Sequence, residues 1–239
     1  MRGTLPTLAL LAVLHALALL ALLLPTGTAV AATPTRVGGQ FRYWSNTDHN
    51  DNRDYLAYWA PGPFHVLLEV WDFQRGADQF RPEVGMHLRD FRRSSYSVEW
   101  RHEHNDERLT LRSEQVLAKG FVGRASIAPI FSTDSTSVVW SVGGDYYWGS
   151  YHFASLDVIR DPRGNDLWAV PMRVRIATER NDWVQITFVP QSKRTNGWAL
   201  DAKIRWLRLG FERNSRYDYT TQDNAIVTLG VEFERPPPR

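Results

Sequence analysis

The sequence predicts an all-β protein, an antiparallel up-and-down transmembrane β-barrel of about 12–14 strands. Three observations predict it. Apolar residues recur at every second position along most of the chain. Turn-forming residues divide the chain into runs of about 7 to 12 residues, near the roughly 9–11 that a tilted strand needs to cross a bilayer. The chain opens on an apolar export signal and contains no cysteine.

Residues 1–32 read as a cleaved secretory signal peptide. Arg2 is the only charge before Arg36, and Leu5 to Leu24 are almost all Leu and Ala. Pro25, Thr26 and Gly27 then break a helix, and Ala29-Val30-Ala31 has the small-x-small pattern of a cleavage site. An uncleaved anchor is the competing reading, since roughly 20 apolar residues can span a bilayer. Residues 33–234 then form the barrel. Residues 235–239, Arg-Pro-Pro-Pro-Arg, form a tail whose prolines cannot join a sheet ladder.

Within the barrel the strands follow in order. The two earliest, near Val37–Ser45 and Tyr55–Ala60, have the weakest alternation. Tyr96, Val98 and Trp100 alternate with Ser97, Glu99 and Arg101. Trp168, Val170, Met172, Val174 and Ile176 share one face, with Arg173 and Arg175 on the other. Val184, Ile186 and Phe188 alternate with Gln185 and Thr187. Trp198, Leu200, Ala202, Ile204 and Trp206 alternate with Ala199, Asp201, Lys203 and Arg205. Val227, Leu229, Val231 and Phe233 alternate with Thr228, Gly230, Glu232 and Glu234. Side chains alternate across a strand, so each segment has one apolar and one polar face. At Trp206-Leu207 the apolar parity switches with no Gly, Pro or Asn to turn the chain, which predicts a very tight turn or a bulge there.

Composition narrows the function classes. Lys and Arg number 28 against 26 Asp and Glu, so the charge is near neutral and argues for neither nucleic acid nor an acidic substrate. Without cysteine there is no disulfide framework, thiolate site or Cys nucleophile. All ten tryptophans follow the signal, yet no later run approaches the length of a transmembrane helix.

A soluble β-sandwich shares the period-two pattern but turns its apolar face inward. The export signal, strand lengths and aromatic-flanked stripes favour the barrel. Met172, Val174, Leu200, Ile204, Leu229 and Val231 are then expected to face lipid. Arg173, Arg175, Asp201, Lys203, Arg205, Glu212, Glu232 and Glu234 are expected to face the lumen. Longer connections at Asp161–Asp166, Pro190–Asn196 and Asn214–Asn224 alternate with shorter ones, which puts both termini on the short-turn, periplasmic side. Gly230 and Phe233 have the glycine and apolar spacing of the terminal strand that the barrel-assembly machinery recognises.

Several segments carry a family resemblance: Gly143-Gly144-Asp145-Tyr146-Tyr147-Trp148, Tyr151 to Arg163, Trp168, Leu209 to Arg213, and Val227 to Phe233. In these, roughly residues 140–234, the chain resembles the YaiO family of outer-membrane barrels. The resemblance implies an outer-membrane barrel and carries no settled catalytic residues.

Three constellations invite chemistry. His102 and His104 share a strand face beside Asp106, but two histidines fall short of the three or four ligands of a zinc site. Asp48, Asp51 and Asp54 with Asn46, Asn50 and Asn52 form an oxygen-rich stretch that lacks the spacing of a calcium loop and reads as a solvated loop. Serines and histidines occur without a Gly-x-Ser-x-Gly elbow. The sequence therefore predicts no enzyme, cofactor or metal. It predicts a monomeric outer-membrane protein with a structural or transport-associated role, in contact with outer-membrane lipid and lipopolysaccharide and with no nucleic acid. A barrel enzyme acting on lipid and a secreted glycan-binding sandwich are the alternatives.

Overall fold

The computed structural model describes residues 35–235 apart from 48–50, 62, 76–77, 90–93, 104, 150, 194 and 215–222. The expected signal peptide and Pro236 to Arg239 lie outside the described residues. The strands are β1 (Thr35–Asn46), β2 (Asn52–Ala60), β3 (Phe64–Phe73), β4 (Gln79–Arg89), β5 (Ser94–Glu103), β6 (Asp106–Ala118), β7 (Phe121–Phe131) and β8 (Thr136–Tyr147). They continue as β9 (Phe153–Asp161), β10 (Leu167–Ala169), β11 (Met172–Glu179), β12 (Asp182–Val189), β13 (Gly197–Ile204), β14 (Leu207–Arg213) and β15 (Asn224–Arg235). A single helical turn, α1 (Arg163–Asp166), precedes β10.

Each strand pairs antiparallel with its sequence neighbour, and β1 pairs with β15 from Thr35↔Arg235 to Asn46↔Asn224, so the sheet closes. β10 and β11 both pair with β9 and are two pieces of one stave, separated at Val170-Pro171. The described residues therefore form a closed barrel of fourteen staves. Proline has no N–H to give the ladder, so the interruption falls where it must. Pro171 still accepts from Asp157 N–H at 3.1 Å. The two strands least legible in the sequence, β1 and β2, are fully formed, and Arg235, assigned above to the tail, is the last residue in the β15 ladder.

The faces run opposite to those of a soluble sandwich. Met172, Val174, Leu200, Ile204, Leu229 and Val231 all point outward and are 36–60% exposed. Asp54, Glu69, Asp157, Asp201 and Lys203 point inward and are buried. Outward apolar positions are largely exposed, with the cross-strand pair Met86 and Val98 a covered exception. Tyr43, Phe80, Phe131, Trp168, Phe188 and Trp198 ring one end of the outer surface. Trp59, Phe64, Phe121, Tyr146, Trp206 and Phe233 ring the other. An apolar band between two aromatic girdles is the surface a bilayer requires.

The expected alternation of long and short connections holds in part: the β5–β6 turn at the long-loop end is two residues, and the β8–β9 connection at the terminal end, expected to be short, runs from Trp148 to His152. On the side of the chain termini, two-residue turns join β6 to β7, β11 to β12 and β13 to β14. The β13–β14 turn is Arg205-Trp206, with Arg205 at φ 56°. This explains the parity switch: two-residue hairpins favour turns with a left-handed first residue, and here Arg stands where Gly or Asn is usual. Asp182 Oδ1 accepts from the Arg205 N–H and holds it there. Arg205 is thus a correction to the lumen set. It is an exposed turn residue and does not face the bore. At the opposite end, the β12–β13 and β14–β15 connections are the long ones.

Two outcomes test this architecture. Leu229→Arg places a cation among lipid tails and should destabilise the barrel by about 2–4 kcal/mol near the midplane. Thr228→Arg, pointing inward, should cost less. Denaturant titration in lipid reads both, and equal costs would overturn the face assignment. An epitope inserted between Asn214 and Asn224 should bind antibody on intact cells, and one after Arg239 should not. Surface labelling of the C-terminal tag would invert the orientation.

Candidate functional site

Among the described residues polar groups converge in the lumen, which has three layers. At the long-loop end apolar residues cluster among buried polar ones such as Asn52, Asp161, Asn214 and Asn224. Trp44, Trp71, Ile130, Ile159, Val189 and Ile226 are all within 9% exposure. Trp44 and Trp71 meet at 4.9 Å between ring centroids, against Ile226 and Phe73. Ala128, Ile130, Val139 and Ile159 form a second cluster on β7, β8 and β9. Arg81 stacks its guanidinium 3.8 Å above the Trp71 ring.

Below this layer lies a belt of ion pairs. Glu69, 2% exposed, receives Arg42 on one oxygen and Arg101 on the other. Arg42 also pairs with Asp54, whose side chain has no exposure. Arg101 reaches Glu103 at 3.1 Å and Glu83 at 3.5 Å. Charges so buried lose several kcal/mol of hydration apiece, so each must be met by opposite charge. Glu69 sits on β3 and its two arginines on β1 and β5, so each pair passes over an intervening stave.

Around the wall the same device recurs. Arg124 donates to both carboxylate oxygens of Asp157, at 2.9 and 3.0 Å, and lies 3.0 Å from Asp145. The register puts Gly143 directly between Arg124 and Asp157. A Cβ on Gly143 would stand 2.2 Å from Asp157 Oδ1. Glycine there opens the passage from β7 to β9. Arg173 completes the cluster on Asp157 at 2.7 Å.

At the terminal end the lumen opens into a cavity of about 390 Å³. Arg36 on β1 and Tyr147 on β8, from opposite walls, both line it. Arg175 lies 4.0 Å above the Trp183 ring and 4.8 Å from Phe153. Its Nη2 donates to Gln185 at 2.8 Å. Lys203 pairs with Glu232 and donates to Asn181 at 3.2 Å. Arg180 reaches Glu234 at 2.6 Å, and Arg208 reaches Asp201 at 3.4 Å.

The expected lumen residues thus separate into groups. Arg175, Lys203, Glu232 and Glu234 meet at this cavity. Arg173 joins the Asp157 cluster, and Asp201 partners Arg208. Glu212, 6% exposed, lies nearer the long-loop end. Gly230 faces inward, where a Cβ would meet Gln40 Cγ at 2.7 Å, and Phe233 faces outward, stacked on Trp206. Sequence reasoning left Arg42, Asp54, Glu69, Arg101, Arg124, Asp157 and Trp183 out of the lumen set. Their signal was present in part: Arg42 between Phe41 and Tyr43, and Glu69 between Leu68 and Val70, are single charges inside apolar runs.

The other constellations resolve locally. His102 Nδ1 lies 2.8 Å from Glu107 Oε1, and His104 lies outside the described residues. Among the described residues no three His, Asp or Glu side chains are arranged to hold a metal ion. The oxygen-rich stretch is not one loop. Asn52 and Asp54 belong to β2 and are buried, while Asp51 accepts from Tyr43 Oη at 2.6 Å and from Asn46 N–H at 2.9 Å. Asp48 and Asn50 lie outside the described residues. In the Asp161–Asp166 turn, Arg160 holds Asp166 at 2.7 Å and keeps its carboxyl below the ordinary range.

No known family model matches the chain, and no curated protein matches it in sequence. Solved structures match in fold. A KdgM porin is 11% identical, with 82% of this chain and 99% of that chain covered, at a TM-score of 0.55. The Pseudomonas putida toluene transporter TodX is 5% identical, with 86% and 90% covered, at 0.55. The Acinetobacter baumannii outer membrane protein Omp33 is 12% identical, with 86% and 100% covered, at 0.52. The fold of this chain is that of an outer-membrane β-barrel.

Proposed function

We propose that this chain is a YaiO-like monomeric barrel of the outer membrane with a transport-associated role, offering at most a narrow and weakly selective path. It is a non-enzymatic protein that sits in outer-membrane lipid and lipopolysaccharide after insertion by the barrel-assembly machinery. The observation that carries the reading is the filled lumen. Buried ion pairs at Glu69 and Asp157 bridge across staves, and covered apolar residues lie at the long-loop end. Barrels of eight strands are filled by side chains and those of 16–18 leave an aqueous channel, so at fourteen the side chains decide. The porin and transporter neighbours fit a role in transport, and the apolar band with its two girdles fits the membrane.

Purified protein in planar bilayers should show small or no steady conductance. Combining Arg42→Ala, Glu69→Ala and Arg101→Ala removes charge and bulk together and should raise the conductance several-fold, in protein that still migrates as a folded barrel. Breaking a buried pair by removing one partner costs about 3–5 kcal/mol, so Arg42→Ala alone, which strips buried Asp54 of its arginine, should lower the unfolding midpoint more than Glu69→Ala, which leaves Arg42 on Asp54 and Arg101 on Glu103 and Glu83. Large porin-like steps from the unmodified chain would make diffusion channel the correct description.

A further inference from the structure

We infer that the cavity at the terminal end of the lumen is a binding site for a small soluble polyanion bearing carboxylate or phosphate groups. The assignment rests on the transport reading above and deepens it by naming the solute class.

The cavity lining carries five cations and two carboxylates. Both carboxylates are engaged, Glu232 by Lys203 and Glu234 by Arg180. Arg175 and Arg208 are held differently. The Arg175 guanidinium donates to the neutral amide of Gln185, and Arg208 reaches Asp201 only at 3.4 Å. Both sit over one indole: Trp183 has Arg175 at 4.0 Å and Arg208 at 6.0 Å from its ring centroid.

Two guanidinium groups gathered around one indole repel each other, and walls of low dielectric strengthen that repulsion. The same walls focus the positive field into the open volume. A bound anion relieves the repulsion, and a planar guanidinium fork matches the oxygens of carboxylate and phosphate. The volume, about 390 Å³, lies within the range of small-ligand pockets. The aromatic ring under each cation keeps the fork in place, so little side-chain freedom is lost on binding.

Calorimetric titration of the full barrel in detergent micelles at low salt tests the site, with pyrophosphate, tricarballylate and maltose as probes. At least one anion should bind saturably, with maltose giving no binding heat. Arg175→Gln and Arg208→Gln should each weaken the anion at least tenfold, and Arg175→Lys, which keeps the charge and loses the fork, should weaken it less. Arg160→Gln, at the outer long-loop rim, should leave affinity unchanged. Heat-modifiable migration verifies that each variant is folded. Should one glutamine variant fail to fold, the other carries the test, and added salt should weaken the unmodified protein's affinity. Binding of pyrophosphate alone assigns a phosphate ligand, tricarballylate alone a carboxylate, and both an ionic site open to either. No saturable heat from either anion, equal binding by maltose, or unchanged affinity in the folded glutamine variants would overturn the proposal. Conductance is read separately in bilayers, so a wide channel would sink the narrow-path reading while leaving the micelle result to stand or fall alone.

Discussion

Everything in this barrel depends on the hydrogen-bonded seam between β1 and β15. Within hydrocarbon no water is available to a free N–H or C=O, so a sheet with an open edge cannot stay there. The seam runs from Thr35↔Arg235 to Asn46↔Asn224 and joins the first strand to the last. It also locks the faces. A slip of one residue would turn Arg42 and Thr228 toward lipid and Phe41 and Leu229 toward the bore. On the inner side of the seam Gly38 and Gly230 leave room for their neighbours, and Tyr58 closes over Gly38, where a Cβ would stand 2.6 Å from its hydroxyl oxygen.

Closure creates an electrostatic problem that the lumen then has to solve. Each strand must place its non-lipid residues inside, and many of these are charged. Glu69 and Asp157 act as hubs, each held by two arginines. The solution is uneven along the axis. Apolar clusters at Trp44–Trp71 and Ile130–Ile159 lie with buried amides and carboxylates at the long-loop end, paired charges fill the middle, and cations outnumber carboxylates at the terminal end. An interior graded in this way has a sense of direction, which a uniformly hydrated pore lacks.

The periodicity of two made most of the wall legible. Side-chain direction follows from parity alone, which puts Met172, Val174, Leu200, Ile204, Leu229 and Val231 outward and Arg173, Arg175 and Lys203 inward. Parity fails at a turn, and Arg205 shows it: the alternation of β13 continues through it in sequence while the backbone has already reversed at φ 56°. The interruption at Pro171 was hidden for the opposite reason, because apolar parity resumes on both sides of it. Pairs such as Arg101 with Glu69 were beyond reach. They join strands that are not adjacent, and their register depends on the stagger of the stave between them. The cavity depends on the approach of β1 and β8 across the bore, to which no local pattern contributes.

The stave-skipping pairs have a mechanical meaning. A closed sheet is an elastic hoop whose softest deformation is flattening toward an oval. Arg42–Glu69 and Arg101–Glu69 act as struts over β1 to β5, Arg124–Asp157 over β7 to β9, and Lys203–Glu232 over β13 to β15. Between β10 and β13 the pattern changes. At mid-height Arg175 hydrogen-bonds across to the adjacent Gln185 and the ladder is cut at Pro171, while the links that skip staves here, Arg180–Glu234 and Lys203–Asn181, start from the β11–β12 turn at the terminal rim. Bending in a hoop concentrates where it is least stiff, and above that braced rim the wall at Pro171 and Arg175 has the ladder interrupted and, among the described residues, no strut of its own.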